Sequence, residues 1–299
     1  MPCLTARWGR NAPLWRCDVV QSGKGGRRAE SVSTAAGSVY WQRWGAGPDV
    51  LLLHGIPSSS RLWQSTAESL ESVATVHMLD LLGYGRSDKP VAADLGIAAQ
   101  AAVVREWMAV TGWSTGTVVG HDIGGGVAQL LAVNDPDCVS QLVLVDTIAY
   151  DSWPEPGIKR LGEPQWDEIM ERIDLSVGLR KGLLRGVVDD SVVTDELVQA
   201  YAAPFAGPGG GAAYLRCARA LRTPELLDVA DAVEHLTLPT HIVWGTQDVF
   251  QPLSYGERLS AAIQGARLTT LEAGHFLPLE RGPELAALIA EGIQGPRCG

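Results

Sequence analysis

The segment from Val119 to Ala128 constrains the fold more than any other part of the chain. It begins with aliphatic residues that end a strand, turns at Gly120-His121-Asp122, and enters a helix rich in glycine. A strand that turns this sharply into a helix is typical of a parallel sheet covered by helices. The residue at the apex is Asp122. A carboxylate can attack an sp3 carbon and hold the product as an ester. A carboxylate at the apex therefore favours this chemistry over the ordinary acyl transfer that a serine would indicate.

From about residue 31, short aliphatic strands alternate with longer helical patterns. This alternation predicts an α/β fold with a mostly parallel central sheet flanked by helices, opened by a hairpin around residues 35–38. The predicted strands are Ser31–Thr34, Val39–Trp44, Val50–Leu53, Val73–Leu79, Thr117–Val119, Leu142–Val145, Thr240–Gly245 and Leu268–Leu271, and the predicted helices of the core are Ala98–Thr111, Val127–Val133, Leu253–Ile263 and Glu284–Ile293. The candidate motifs lie at the carboxyl ends of strands, where open α/β sheets bind ligands.

The alternation divides the chain into four parts. We predict a flexible N-terminal tail over residues 1–30, because residues 1–28 carry six arginines and lysines against one aspartate and include a Ser-Gly-Lys-Gly-Gly run. The core occupies residues 31–150 and 237–299. Between these two parts, residues 151–236 form helical pieces marked by proline and glycine, which predict an inserted helical cap.

Composition argues against several classes of protein. The formal charge of −10 disfavours a nucleic-acid surface, and no apolar run approaches the roughly 20 residues that cross a bilayer. The five cysteines show no CxxC spacing, so the sequence predicts no disulfide framework and no zinc site, and it favours the reducing cytoplasm. Neither a GxGxxG motif nor a Walker lysine is present, so we expect no cofactor and no metal. We expect a small hydrophobic substrate and a monomer or homodimer, with no nucleic-acid or membrane partner.

Five motifs in a fixed order carry a resemblance to a known family. They are His54-Gly55-Ile56-Pro57, Asp80-Leu81-Leu82-Gly83-Tyr84-Gly85-Arg86-Ser87, Gly120-His121-Asp122-Ile123-Gly124-Gly125, Gly245-Thr246-Gln247-Asp248 and Gly274-His275-Phe276. From about residue 31 to its end, the chain resembles an α/β-hydrolase of the haloalkane dehalogenase and epoxide hydrolase branch. The resemblance implies an α/β-hydrolase fold in which Asp122 is the nucleophile, Asp248 the acid and His275 the base.

The chemistry of these residue types supports the same assignment. Asp122 must be ionised to attack, and we expect the turn and the positive amino end of the following helix to lower its pKa. An aspartate before a helix is often only an N-cap, but Gly120 and Gly124 are what a strained turn requires. His275 follows a strand in a loop where an imidazole can activate water. Asp248 can accept a hydrogen bond from that imidazole and hold its tautomer.

Other residues near these motifs have alternative or supporting roles. Asp146 ends the strand before the cap and is the rival of Asp248 for the acid. The backbone N–H groups of Ile56 and Ile123 are the candidates for an oxyanion hole, which needs two aimed donors. Three further residues are expected to stabilise turns and loops: Asp80, His54 and His121.

The residues that stabilise the leaving group indicate which electrophile Asp122 attacks. Dehalogenases of this branch generally have a tryptophan after the nucleophile and often an asparagine after His-Gly, whereas this chain has Ile123 and Ile56. An epoxide needs a proton donor at its oxygen, and lid tyrosines normally supply it. The candidates for this acid or for substrate contacts are Tyr214, Tyr201, Tyr150, Trp63 and Trp153. We therefore expect a cofactor-independent epoxide hydrolase that converts a hydrophobic epoxide into a vicinal diol.

Two other functions stay open at this point. In a haloalkane dehalogenase, residues of the predicted cap would donate hydrogen bonds to the departing halide, for instance Trp153 or Trp166. A ligand-binding protein on a hydrolase scaffold would keep the acid and the histidine without turnover. Halide release measured against diol formation on parallel substrates separates the two enzymes.

Overall fold

Nine strands form one mixed sheet within residues 17–22 and 26–293, the parts of the chain that the computed structural model describes. They are β1 (Cys17–Ser22), β2 (Arg28–Thr34), β3 (Gly37–Gly45), β4 (Asp49–Leu53), β5 (Thr75–Leu79), β6 (Gly116–His121), β7 (Val139–Val145), β8 (Thr240–Gly245) and β9 (Arg267–Leu271). Their order across the sheet is β1-β2-β3-β5-β4-β6-β7-β8-β9. The three pairs from β1 to β5 are antiparallel and the remaining pairs are parallel. The predicted mostly parallel sheet is therefore confirmed.

The middle of this sheet is buried on both faces. Every residue of β5 and β6 is buried, as is every residue of β4 after Asp49. A strand covered on both faces needs a continuous apolar run rather than an alternating one, and Val50-Leu51-Leu52-Leu53 is such a run. These three strands are therefore a rigid support for the loops at their carboxyl ends.

Helices connect and flank the strands. Within the described ranges they are α1 (Gln64–Leu70), α2 (Ile97–Thr111), α3 (Ile123–Asn134), α4 (Pro156–Arg160), α5 (Gln165–Arg172), α6 (Leu175–Gly186), α7 (Asp195–Ala202), α8 (Gly210–Arg219), α9 (Pro224–Leu227), α10 (Ala230–Glu234), α11 (Leu253–Ala262), α12 (Leu277–Glu280) and α13 (Gly282–Ile293). Helix α2 packs on α3, and α1 packs on α13. No helix in the described parts of the chain is long and apolar enough to cross a bilayer.

The N-terminal prediction is wrong in part. Cys17–Ser22 pairs antiparallel with β2, and β2 itself begins at Arg28, so these residues belong to the sheet. The prediction gave more weight to the basic charge and the glycines than to the short β-branched run Val19-Val20, which favours a strand. Val19 pairs with Glu30 of β2. Residues 1–16 and 23–25 lie outside the described residues. The predicted hairpin is confirmed, with Thr34 paired to Gly37 across a two-residue turn.

The segment between β7 and β8 contains α4 to α10 and no strand. It corresponds to the predicted cap of residues 151–236. Polar contacts join it to the core: Arg61 forms an ion pair of 2.5 Å with Glu196, and the Arg216 guanidinium donates to the backbone carbonyl of Lys89 at 3.1 Å. The segment therefore lies against the edge of the core and contributes side chains to the pocket described below.

One carboxylate joins this helical segment to the loop that carries His275. Oε1 of Glu280 accepts the backbone N–H groups of Val188 at 2.7 Å and Asp189 at 3.0 Å, just after α6. Its Oε2 accepts the backbone N–H of Gly274 at 2.7 Å. Because one side chain accepts backbone N–H groups from both segments, Glu280 fixes the end of α6 to the loop that carries His275.

Candidate active site

Asp122 occupies the turn between β6 and α3 with φ 49° and ψ −119°. This backbone conformation is strained for a residue other than glycine, at a typical cost of about 1–3 kcal/mol. A Cβ on Gly120 would lie 2.3 Å from the carbonyl oxygen of Gly124, and a Cβ on Gly124 would lie 2.2 Å from that of Leu53. Both glycines are therefore required for the close approach of α3 to the sheet. The Asp122 side chain makes no capping hydrogen bond to α3, so capping does not explain its position.

The carboxylate of Asp122 is buried and receives backbone amides. Its Oδ2 accepts the N–H of Ile56 at 3.0 Å. The backbone N–H of Ile123, at the start of α3, lies near enough to lower the pKa of this carboxyl group. The two amides predicted for an oxyanion hole therefore converge on this carboxylate.

His275 and Asp248 form a buried hydrogen-bonded pair beside it. Nδ1 of His275 lies 2.8 Å from Oδ2 of Asp248, and the two side chains are 4% and 0% exposed. Oδ1 of Asp248 accepts the backbone N–H groups of Phe250 at 2.7 Å and Gln251 at 2.9 Å. Because the carboxylate is held at both oxygens, it orients the imidazole with Nδ1–H as donor and leaves Nε2 to act as a base.

Burial changes the expected electrostatics of Asp122. Its pKa is raised to about 6, because the desolvation of the buried carboxylate outweighs the charge of His275 and the backbone amides of Ile123 and Ile56. The amides of the turn and of the helix start lower this pKa as expected, but the expected net lowering is wrong. Burial lowers the pKa of His275, but the charge and hydrogen bond of Asp248, together with the charge of Asp122, raise it above its usual value.

Asp146, the rival of Asp248 for the acid, binds a backbone group, whereas Asp248 binds the His275 imidazole. It ends β7 with φ 41°, is completely buried, and its Oδ1 accepts the backbone N–H of Gly245 at 2.7 Å. Burial and the neighbouring charge of Asp248 raise the pKa of Asp146 well above its usual range. Asp146 thus supports the loop of Asp248 through Gly245.

The two histidines of the motifs bind backbone groups. Nε2 of His54 accepts the N–H of Leu81 at 2.9 Å, and its Nδ1 faces the carbonyl oxygen of Gly55 at 2.9 Å. Nε2 of His121 lies 2.8 Å from the carbonyl oxygen of His275. Desolvation lowers the pKa of both rings, so both are neutral and each links two loops of the site.

Asp80 has a similar supporting position. Its Oδ1 accepts the N–H of Ser60 at 2.7 Å, and its Oδ2 accepts the N–H of Arg86 at 2.7 Å. The side chain therefore holds the loop after β5 against the loop after β4, next to the candidate site.

Asp122 and His275 line a pocket of about 270 Å³ between the core and the helical segment. Of the five lid and aromatic candidates, the structure places two in this pocket, Tyr214 on α8 and Trp153 before α4. The other lining side chains are mainly apolar, as in most small-molecule sites. The lining residues that sequence reasoning missed include two that follow Asp248 closely in sequence, Phe250 and Gln251, and two charged residues of the helical segment, Glu155 and Arg185.

The other three candidates do not line this pocket, and their prediction as substrate contacts is corrected. Trp63 is completely buried, with its ring edge-on to His121 at 6.4 Å. Tyr201, on α7, is 1% exposed. Tyr150 lies under the Arg258 guanidinium, which is 3.5 Å from the centre of its ring. In each case packing against protein groups takes the place of a pocket position.

Known proteins of similar sequence include hydrolases, an acetyltransferase component and uncharacterised proteins. The family model described as alpha/beta hydrolase fold matches residues 48–177. An uncharacterised protein of Mycobacterium tuberculosis is 32% identical over 245 residues, which are 78% of this chain and 71% of that protein. A pimeloyl-[acyl-carrier protein] methyl ester esterase of Aliivibrio salmonicida is 27% identical, with coverage of 81% and 90%. A soluble epoxide hydrolase of a Corynebacterium species is 28% identical, with coverage of 79% and 87%.

Solved structures agree with the fold over most of the chain. The epoxide hydrolase CorEH superposes with a TM-score of 0.76 at 25% identity, covering 88% of this chain and 96% of that one. A haloalkane dehalogenase from Bradyrhizobium elkani superposes with a TM-score of 0.78 at 22% identity, covering 90% and 99%. These superpositions confirm the predicted fold class.

Proposed function

The chain belongs to the α/β-hydrolase family of enzymes, and we propose from that premise that it is an epoxide hydrolase which forms a covalent ester on Asp122. The observation that carries the proposal is a carboxylate at the apex of the turn, in one pocket with His275 and Tyr214. A serine at the apex would favour acyl transfer, whereas a carboxylate is suited to attack on an sp3 carbon. The proposed substrate is a small hydrophobic epoxide, and no cofactor takes part.

In the first step, an oxygen of Asp122 attacks a ring carbon and the bond between that carbon and the epoxide oxygen breaks. The phenol of Tyr214 gives its proton to the oxygen that leaves. Burial raises the pKa of Tyr214, so the phenol is protonated at neutral pH and available as the acid. The products of this step are a hydroxyalkyl ester on Asp122 and a phenolate at Tyr214.

In the second step, Nε2 of His275 takes a proton from water, and the water oxygen attacks the ester carbonyl carbon. The amides of Ile56 and Ile123 stabilise the oxyanion, and Asp248 stabilises the imidazolium. Collapse expels the diol oxygen, which takes the proton from His275, and the proton of the regenerated carboxyl group restores Tyr214. Ester formation also removes the Asp122 charge that helps to raise the pKa of His275, which favours the neutral imidazole when a base is needed.

The raised pKa of Asp122 predicts how activity depends on pH. Attack needs the ionised carboxylate, which is the main form above a pH of about 6. We therefore expect kcat/KM for an epoxide to fall about tenfold for each pH unit below that value, because only the ionised fraction reacts. Initial rates between pH 5 and 8 measure this, with circular dichroism at each pH to confirm that the protein is folded. A kcat/KM that is constant down to pH 5 contradicts the assignment.

Oxygen labelling tests the proposed reaction directly. In one turnover of an epoxide in heavy-oxygen water, with enzyme in excess, we expect an unlabelled diol and the label in the carboxyl group of Asp122, found by peptide mass spectrometry. In later turnovers the label appears in the diol, because the exchanged carboxylate oxygen attacks. Direct labelling of the diol in the first turnover overturns the proposal, and the absence of both diol from epoxides and halide from haloalkanes favours a ligand-binding protein.

Tyr214 gives a more specific prediction. We expect Tyr214→Phe to slow ester formation from an epoxide by about 10²- to 10³-fold, since it removes the proton donor. The matched control is Tyr201→Phe, which removes a buried hydroxyl in the same helical segment but outside the pocket. Stopped-flow or quench-flow measurement of the first turnover separates ester formation from hydrolysis. Equal effects of the two substitutions would show that Tyr214 is not the acid.

A haloalkane dehalogenase is the second candidate, and one observation favours it. Trp153 lines the pocket, and its indole N–H is a candidate donor to the departing halide. This N–H has no hydrogen-bond partner among residues 26–293. Trp166 does not line the pocket, and Ile123 follows Asp122 where a second halide donor would be expected. Halide release from bromoalkanes, at rates above those of diol formation from epoxides of equal chain length, would establish this function instead.

A further inference from the structure

One acceptor atom of the pocket has no role in the reaction described above. Gln251 lines the pocket and is 2% exposed. Its side-chain oxygen, Oε1, has no hydrogen-bond partner among the residues that the structure describes. Because a buried polar atom is normally hydrogen-bonded, such an atom in a ligand pocket indicates a partner among the reacting molecules. An amide oxygen can only accept a hydrogen bond, so this partner is a donor.

Gln251 is connected to the candidate base through Asp248. The backbone N–H of Gln251 donates to Oδ1 of Asp248 at 2.9 Å, and Oδ2 of the same carboxylate lies 2.8 Å from Nδ1 of His275. The backbone carbonyl oxygen of Gln251 accepts the indole N–H of Trp244 at 3.0 Å. One carboxylate therefore holds both the imidazole and the backbone of Gln251, and that backbone is fixed on both sides.

Other polar side chains of the pocket are engaged or have the wrong chemistry for this donor. Oε2 of Glu155 accepts the backbone N–H of Gly157 at 2.5 Å, and its Oε1 lies 3.4 Å from the Arg185 guanidinium. The indole N–H of Trp153 donates and cannot accept. Among the described side chains that line the pocket, those with an unpaired buried polar atom are Trp153 and Gln251, and of these two Gln251 has the acceptor.

The proposed reaction brings two O–H donors into the pocket. Ring opening makes a hydroxyl group from the epoxide oxygen, and that oxygen receives its proton from Tyr214 on α8, in the helical segment. The other donor is the water that hydrolyses the ester, and it must lie beside Nε2 of His275 to lose its proton there. Because Asp248 holds Gln251 and His275 together, the position of Gln251 favours the water.

We propose that Gln251 is a positioning residue for the hydrolytic water, which donates one O–H to Nε2 of His275 and the other to Oε1 of Gln251. This inference rests on the proposed covalent ester at Asp122 and adds a residue to its hydrolysis. With both O–H groups directed to acceptors, a lone pair of the water oxygen is left to attack the ester carbonyl carbon.

The two protons of this water have different fates. Nε2 of His275 takes the first as the water oxygen attacks, and the second stays on the attacking oxygen with its hydrogen bond to Gln251. After collapse, this second proton belongs to the regenerated carboxyl group of Asp122 and restores Tyr214. Gln251 gains and loses no proton, so it acts through orientation alone.

Single-turnover measurements separate ester formation from ester hydrolysis. With enzyme in excess over styrene oxide, rapid quenching and intact mass give the rates at which the ester on Asp122 appears and disappears. Gln251→Met keeps the length of the side chain and removes the amide oxygen. We expect it to slow hydrolysis by about 10- to 100-fold and to leave the rate of ester formation nearly unchanged. Gln251→Glu keeps an acceptor oxygen and should restore most of the hydrolysis rate.

Gln64→Met makes the same replacement at an exposed position, and as the matched control it should change neither rate. The inference is wrong if Gln251→Met hydrolyses the ester at the unmodified rate or slows both steps equally. It is also wrong if Gln251→Glu is as slow as Gln251→Met, because the acceptor oxygen then has no effect.

Failure of the proposed function gives a different result. If the unmodified enzyme forms no ester on Asp122 from styrene oxide, 1,2-epoxyhexane or 1-bromobutane, the covalent mechanism fails and the inference fails with it. If an ester forms from 1-bromobutane alone, the substrate is a haloalkane, and the hydrolysis of that ester tests Gln251 in the same way.

Discussion

Asp122→Asn is expected to lose turnover by about 10⁴-fold or more, because a carboxamide does not replace a carboxylate as the nucleophile. Asparagine keeps the size of the side chain, and its carbonyl oxygen can still accept the N–H of Ile56, so the turn should stay folded. The measurement is diol formation from an epoxide, together with intact mass to confirm that asparagine is still present after the assay. An Asp122→Asn enzyme with at least a tenth of normal activity would exclude a covalent ester at this position.

The same substitution is expected to stabilise the fold at neutral pH. The pKa of Asp122 is about 6 in the folded protein. In an unfolded chain it is about 3.9, and one pKa unit corresponds to about 1.4 kcal/mol. Because the folded pKa is the higher one, the folded state holds the proton more tightly, and stability is lost as the pH rises from about 4 to about 6. Ionised Asp122 therefore destabilises the native state by about 3 kcal/mol at pH 7.5, and asparagine removes this cost.

Urea unfolding of the two proteins measures the effect. We expect Asp122→Asn to raise the free energy of unfolding by about 2–3 kcal/mol at pH 7.5, with the difference shrinking as the pH approaches 4. Asp88→Asn, a substitution of an exposed aspartate, is the control. Equal stability of the unmodified and Asp122→Asn proteins at pH 7.5 would contradict the account of a carboxylate destabilised by burial.

His275→Phe is expected to stop the reaction after its first half. Without the imidazole no group activates water, so hydrolysis of the ester slows by about 10⁴-fold while attack by Asp122 continues. Intact mass should then show an adduct equal to the whole mass of an epoxide, or to an alkyl group without its halogen for a haloalkane. Peptide mapping should place the adduct on Asp122.

The adduct experiment has a matched control on the surface of the chain. His235→Phe replaces an exposed histidine at the end of α10, and it should turn over normally without an adduct. If His275→Phe also turns over normally, the assignment of the base is wrong. If it is inactive and accumulates no adduct with epoxides or haloalkanes, the covalent ester itself is contradicted.

The sequence predicts the core well because its signals are local. Strand β8 has the predicted bounds, Thr240–Gly245, since an aliphatic run ends there at a glycine. Helix α3 begins at Ile123, four residues before the predicted start, because its three glycines have low helix propensity and are retained for close packing. The loops that carry Asp122 and His275 follow strands in a regular alternation, so their meeting at one edge of the sheet can also be predicted.

The parts that the sequence does not predict depend on tertiary packing. Tyr214 and Tyr201 are both tyrosines on short helices of the same segment, and no local signal shows that only the first lines the pocket. The pKa of Asp122 depends on its burial, which is set by residues distant in sequence. Gln251 follows Asp248 by three residues, but its unpaired side chain becomes evident only when the pocket is seen.

The three hydrogen bonds of Glu280 have a consequence for how the pocket can open. Lifting the end of α6 away from the core would break the bonds to Val188 and Asp189 or the bond to Gly274, so this corner opens at a higher free energy than the rest of the segment. When the helical segment moves to admit a ligand, we therefore expect it to rotate about the end of α6, while the loop that carries His275 stays in position. In amide hydrogen exchange, these three N–H groups should open together and more slowly than those of α4 and α5.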